Sequence, residues 1–326
     1  MELLVTGGAG FIGSHFIRLM LEKEDVSITN IDALTYAGHI SNTEDFLANK
    51  NYRFIQADLT NALEIDRVFE QQYDWIVNFA AESHVDRSIK DAAIFLDTNI
   101  KGTHNLLEKV RTGRAKKMIH VSTDEVYGSL QQREKPFTEK HPLTPNNPYS
   151  ASKAGADLLV HSYFKTYAIP VMITRCSNNY GPYQHPEKLI PKVIQCALHD
   201  QSIPLYGDGL NVRDWLYVED HCRAIERVMK RGQYGEVYNV GGRNERSNID
   251  VIQTILQFLG KDEKLITYVK DRQGHDRRYA IDQTKIQTEL QWEPTYAFSE
   301  GLQKTINWYA QNEEWFHMML KWCEHK

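Results

Sequence analysis

Between residues 3 and 13 the chain reads Leu3-Leu4-Val5-Thr6-Gly7-Gly8-Ala9-Gly10-Phe11-Ile12-Gly13: a short apolar run, then glycines, then the start of a helical pattern. Glycines at 7, 10 and 13 suit a tight strand-to-helix turn, a close approach of backbone to a ligand, and close packing of helix on strand. A helix N-terminus offers free N–H groups and partial positive charge, so the expected ligand is a phosphate group. Asp32 ends the second apolar run, nineteen residues after Gly13, where a carboxylate accepts hydrogen bonds from the hydroxyls of an adenosine ribose. It would repel a 2′-phosphate, which favours NAD over NADP. Phe11 and Ile12 at the helix start belong to the same expected cofactor site. Asp58 and Leu59, after a third run, are placed to touch adenine, although an Asp there also serves as a helix cap.

The rest of the first half continues this pattern. Short β-branched runs at Leu3–Val5, Ser27–Ile31, Arg53–Gln56, Trp75–Asn78, Met118–Ser122 and Val171–Thr174 alternate with helical patterns starting near Phe11, Ser41, Ala62, Ala92 and Ser150. That alternation predicts an α/β fold, a Rossmann-type doubly wound parallel sheet. After about Asn179 the pattern loosens, with turn clusters at Tyr206–Gly209 and Gly241–Asn244 and short strands near Asp214–Val218 and Val237–Val240. Residues 1–177 are therefore expected to form the cofactor domain. Residues 178–326 are expected to form mainly a smaller α/β substrate lobe, with possible returns of the chain to the first domain. From Ser299 to Cys323 an aromatic and aliphatic stripe at near-helical spacing predicts a core or subunit-facing helix.

A hydrophobic content of 41% supports a substantial core, and a formal charge of −5 lacks the basic excess that nucleic-acid binding requires. Cys176, Cys196, Cys222 and Cys323 form no C-x-x-C, so neither a cysteine zinc site nor a disulfide framework is expected. No secretory leader pattern precedes the first strand and no run is long enough to span a membrane. A cytoplasmic enzyme, with no metal and no membrane or nucleic-acid partner, is the expectation.

Tyr149-Ser150-Ala151-Ser152-Lys153 places a phenol and an ammonium four residues apart, on one face of a helix. A neighbouring cation lowers a tyrosine pKa, so Tyr149 is expected to act as a base toward a sugar hydroxyl as hydride leaves. Together with the glycine turn at its spacing, this pair resembles the extended short-chain dehydrogenase/reductase superfamily from Met1 to about Trp322. The resemblance implies that Thr123 hydrogen-bonds the reacting hydroxyl, that Lys153 also holds the nicotinamide ribose, and that Thr98 lies among the cofactor contacts. Asp124 and Glu125 follow Thr123 past an apolar strand. Oxidation at C4 of a sugar acidifies the C5–H; Glu125 can then serve as base and Asp124, if kept protonated, as the acid for the departing C6 hydroxyl.

The string Thr123-Asp124-Glu125-Val126-Tyr127-Gly128 with Tyr149 and Lys153 resembles the dTDP-glucose 4,6-dehydratases, lyases of deoxysugar synthesis that regenerate their NAD; 4-epimerases of the same fold typically lack the acid pair. The resemblance extends to Phe79–Ser88, implying cofactor contacts from Ala80 and Ala81 and a sugar-facing role near Ser83 and His84. It extends also to Ser177–Pro191, implying a substrate role for Asn178, Lys188 and Leu189 and a cofactor role for Asn179. Arg213 is the expected forked donor to phosphate. Asp271–Tyr279 resembles the family's diphosphate loop, with Asp271, Arg272 and His275 as substrate contacts and Gln273 where proline is common. Pro204, Tyr206 and Asn248 match positions near the nucleotide base. The resemblance implies a homodimer built on the helices starting near Ala92 and Ser150. The alternatives are a UDP- or GDP-sugar dehydratase, a 4-epimerase, or a non-catalytic NAD-sensing regulator.

Overall fold

The computed structural model describes residues 1–271 and 274–324. Twelve strands occur in chain order: β1 Glu2–Thr6, β2 Ser27–Asp32, β3 Tyr52–Gln56, β4 Trp75–Asn78, β5 Met118–Thr123, β6 Val171–Cys176, β7 Asn178–Tyr180, β8 Ile203–Tyr206, β9 Val212–Tyr217, β10 Val237–Val240, β11 Glu245–Ser247 and β12 Ile266–Val269. Seven of them form one parallel sheet in the order β10-β6-β5-β4-β1-β2-β3. The order in which the chain adds strands reverses between β1 and β4, the switch point where a crevice opens at the carboxyl ends of the strands. The first six strands fall where the β-branched runs predict them, because a sheet covered on both faces needs continuous apolar strands.

The helix Phe11–Leu21 buries Phe16, Ile17 and Met20 against this sheet. The stretch starting near Ser41 forms a 3-10 helix, Ile40–Phe46, rather than an α-helix. The helix starting near Ala92 opens into a π-turn at Leu96–Lys101 before continuing as Gly102–Arg111. That widened turn carries Asn99, whose amide bonds the backbone N–H and C=O of Glu82 (3.0 and 3.1 Å) and Ser152 Oγ (2.8 Å). It thereby ties the loop after β4 to the next helix. That helix, Pro148–Tyr167, starts two residues before Ser150 because Asn147 and Ser150 form a reciprocal capping box and Pro148 has no N–H to satisfy.

The strands β11-β9-β7 make a second sheet and β12-β8 a parallel pair. Around them Tyr180, Trp215, Ile190, Ile194, Leu302 and Tyr309 build a separate core. The stripe 299–323 divides at Asn312 into two helices, Phe298–Gln311 and Glu313–Glu324. The bend lets Trp308 and Trp315 meet edge-to-face, with ring centroids 5.0 Å apart. The helix Val218–Arg231, β10 and the helix Thr284–Leu290 return to the large sheet, where Val228, Tyr238, Val240 and Leu290 share the core of Phe16 and Ile17. Among the described residues no helix is long and apolar enough to cross a membrane.

Candidate active site

Gly7 adopts φ +70°, and a Cβ there would stand 2.7 Å from Ala80 N. A Cβ on Gly13 would stand 2.4 Å from the Gly7 carbonyl oxygen. The turn thus folds only with glycine at both positions, one for its dihedral angle and one for helix-on-strand contact. Gly10 caps the helix without any side-chain hydrogen bond, and no acidic residue occupies its first turn. Its positive end is left for an anion. Gly13→Ala should therefore cost roughly 1–3 kcal/mol of stability through forced backbone shifts and weaken NAD binding at least about tenfold; thermal unfolding and NAD titration measure both.

The glycine turn opens into a cavity of about 450 Å³ that reaches across the switch point. Gly7, Gly10, Phe11, Ile12, Asp32, Asp58, Leu59, Ala80, Ala81 and Thr98 line one part, and Thr123, Asp124, Glu125, Tyr149, Lys153, Asn178 and Asn179 another; Gly13 is outside the lining and packs on Gly7. Asp32 accepts from Ala9 N (2.9 Å) and Leu34 N (2.8 Å), and burial raises its carboxyl pKa. Asp58 accepts from Thr60 N at 2.8 Å, so it also shapes its own turn.

Thr123 ends β5 and its Oγ1 accepts from Glu125 N (3.3 Å) while donating to Asp124 Oδ1 (3.4 Å). Asp124 is buried, and desolvation followed by the charges of Glu125 and Asp214 pushes its carboxyl well above the carboxylate range. Its Oδ2 is buried with no hydrogen-bond partner. A carboxyl whose pKa is raised in this way holds a proton more readily, as an acid catalyst must.

The tyrosine–lysine pair departs from its expected electrostatics. Lys153 Nζ donates to the Val121 carbonyl at 2.7 Å, and burial brings its pKa down to about 8 despite the charge of Asp157. Burial, then the charge of Glu125, raises the Tyr149 pKa well above its ordinary value; a hydrogen bond with Thr123 opposes this. The expected net lowering is therefore reversed: desolvation of the phenol dominates, and the Lys153 ammonium is turned toward a carbonyl. Since Asp157 raises the lysine pKa, Asp157→Asn should take Lys153 below about 8 and move the alkaline limb of the rate profile to lower pH.

Ser83 and Lys188 line the cavity and meet through Lys188 Nζ and the Ser83 carbonyl (3.3 Å). Asn178 Oδ1 is buried without a partner, whereas Asn179 is held by the Ser177 carbonyl and His221. His84 lies outside the lining: its Nδ1 caps the helix Val85–Lys90, and its Nε2 stands 3.1 Å from Glu187. Leu189 packs on the second core.

The remaining positions gather around the 207–213 loop, apart from the cavity lining. Pro204 and Tyr206 lie on β8, the Asn248 N–H reaches the Asn211 carbonyl (3.0 Å), and Asp271 pairs with His275 (2.7 Å). Arg213 is buried, donates to the Val212 and Asp276 carbonyls, and lies over the Tyr279 ring. Its charge acts on Asp124, which connects this region to the acid pair. Arg272 lies outside the described residues.

Sequence reasoning missed Glu82, Gln184, His185 and Glu187 in the lining. Glu82 Oε2, Gln184 Oε1 and His185 Nε2 are buried without hydrogen-bond partners. Burial pushes the Glu187 carboxyl up, but the His84 hydrogen bond and the charges of Lys188 and His185 prevail and hold it at about 2. Each of the four lies within or beside a segment already singled out, and that adjacency was the available signal.

A family model described as GDP-mannose 4,6 dehydratase matches residues 4–305. The low-salt glycan biosynthesis protein Agl12 of Haloferax volcanii is 50% identical over 314 residues, covering 96% of this chain and all of that one. A crystal structure of dTDP-glucose 4,6-dehydratase from Bacillus anthracis in complex with NAD is 51% identical, with TM-score 0.90 over 98% of this chain and 99% of that one. The Streptomyces venezuelae dTDP-glucose 4,6-dehydratase with NAD and TYD bound is 46% identical, with TM-score 0.94 over 98% of this chain and 100% of that one. Likeness of this degree over almost the whole length, with the acid pair and the tyrosine–lysine pair in one cavity, shows that the chain belongs to the dTDP-glucose 4,6-dehydratase family of extended short-chain dehydrogenase/reductases.

Proposed function

We propose that this chain is an NAD-dependent dTDP-glucose 4,6-dehydratase that converts dTDP-glucose to dTDP-4-keto-6-deoxyglucose and water. The observation that carries the reading is the buried Asp124, its carboxyl pKa raised, beside Glu125 in the cavity that also contains Tyr149 and Lys153. A 4-epimerase or a sensing regulator has no use for that acid. The glycine turn, the uncapped helix end and the Asp32 carboxylate fit NAD. When bound, NAD supplies the hydride acceptor for C4 and the same hydride for C6.

Tyr149 Oη takes the proton of the C4 hydroxyl. Glu125 removes the C5 proton, Asp124 gives its proton to the leaving C6 hydroxyl, and Glu125 returns a proton to C5. Each turnover therefore leaves one extra proton on Tyr149 and one fewer on Asp124. Thr123 Oγ1, bonded to both groups, offers a return path. Lys153 orients the nicotinamide ribose. Ser83, Asn178 and Lys188 hold the sugar, and the segment around Arg213, Asn248, Asp271 and His275 takes the nucleotide diphosphate.

On this reading residues 1–177 hold NAD and residues 178–326 mainly the nucleotide sugar. The protein acts in the cytoplasm as a homodimer, supported by the exposed Leu96, Leu158 and Tyr167 on the helices proposed to pair. Incubation with dTDP-glucose, UDP-glucose and GDP-mannose separately tests the function. A product lighter by the mass of water from dTDP-glucose alone, without net NADH, is expected; turnover of only another donor would overturn the substrate, and turnover of none would overturn the enzyme.

A further inference from the structure

His199 follows the helix Leu189–Leu198 as its C-cap, and its own N–H returns to the Gln195 carbonyl. Glu313 and His317 lie one turn apart on the C-terminal helix Glu313–Glu324. The fold brings these side chains together: His199 Nε2 stands 3.9 Å from Glu313 Oε1, and the two imidazole centroids are 6.2 Å apart. One nitrogen from each histidine and one Glu313 oxygen all lie within 4.8 Å of one another. Ligands around a tetrahedral zinc, each about 2.0–2.1 Å from the metal, stand roughly 3.3 Å apart, so rotation of the exposed side chains is enough to close the set. Two imidazoles and one carboxylate suit a borderline divalent cation. The carbonyl end of the Leu189–Leu198 helix adds negative partial charge beside His199.

We propose that His199, Glu313 and His317 form a site for a zinc-class divalent cation, which staples the C-terminal helix to the second lobe and leaves a fourth position to water. Cysteine spacing could not reveal it, because the ligands come from two helices distant in sequence. The staple has a direct bearing on the cofactor wall. The same C-terminal helix donates from Trp315 Nε1 to Asn42 Oδ1 (2.9 Å) and from Trp322 Nε1 to the Thr35 carbonyl (3.0 Å). Asn42 in turn holds the Ala9 carbonyl of the glycine turn (2.8 Å), and Thr35, Ala37 and Gly38 line the NAD end of the cavity. A cation that fixes the helix therefore restrains the loop after Asp32.

The test uses the full chain, stripped with a chelator and titrated with Zn²⁺ by calorimetry, with and without NAD. One Zn²⁺ per chain is expected to bind, and to raise the Tm because it binds the folded state preferentially. His317→Ala and Glu313→Gln, both at the surface, should each weaken the binding at least about tenfold and abolish the Tm gain. NAD should bind more tightly to the zinc-loaded chain than to the stripped chain, a difference lost in His317→Ala. Absence of stoichiometric binding, or equal affinity in the wild type and both variants, would overturn the site. Binding that leaves NAD affinity unchanged would overturn its link to the cofactor wall.

Discussion

Tyr149→Phe is expected to lower the first oxidation by about 10²- to 10⁴-fold, the usual contribution of a positioned proton acceptor, while leaving NAD bound. The phenol is buried beside Glu125 and hydrogen-bonded with Thr123, and Lys153 is turned to the Val121 carbonyl. Stopped-flow absorbance of NADH after addition of dTDP-glucose reads the step directly. An unchanged rate of NADH formation in the variant would remove Tyr149 from the role.

The second large effect separates the two half-reactions. Glu125→Gln should still allow C4 oxidation, so NADH forms and persists, while loss of water falls by about 10²- to 10⁴-fold for want of a base at C5. The same change removes a negative charge that raises the pKa of both Asp124 and Tyr149. Both groups should then give up protons at lower pH, and the oxidation step in the variant should reach its maximum at a lower pH than in the wild type. Rapid-quench mass analysis of the sugar, taken beside NADH absorbance across pH, measures both consequences. Normal dehydration by the variant would exclude Glu125 as the base.

Most of the large sheet and the glycine turn could be read from residue order, because strand burial on both faces and a tight turn impose local patterns. Gly7 and Gly13 show this well: their need for glycine is written in backbone contacts that any Cβ would violate. Features set by distant contacts were less legible. The stripe 299–323 is helical by spacing, yet its division at Asn312 depends on where Trp308 and Trp315 pack. The return of β10 to β6 follows from a core shared with Phe16, far away in sequence. Tyr149 and Lys153 are adjacent on a helix by spacing alone, but the Val121 carbonyl that draws the ammonium aside is a tertiary neighbour. His84 is implied as sugar-facing by its segment alone, and its helix-capping and Glu187 contacts are tertiary features that the segment does not carry.

The central claim is that one enzyme-bound hydride moves from C4 to C6 within a single sugar. It is tested most directly with dTDP-glucose carrying deuterium at C4, followed by mass and NMR analysis of the product from substoichiometric enzyme. The account predicts a product that has lost one water and retains deuterium on C6, with no NADH released over many turnovers. Deuterium washed into solvent, or NADH accumulating in proportion to product, would contradict it.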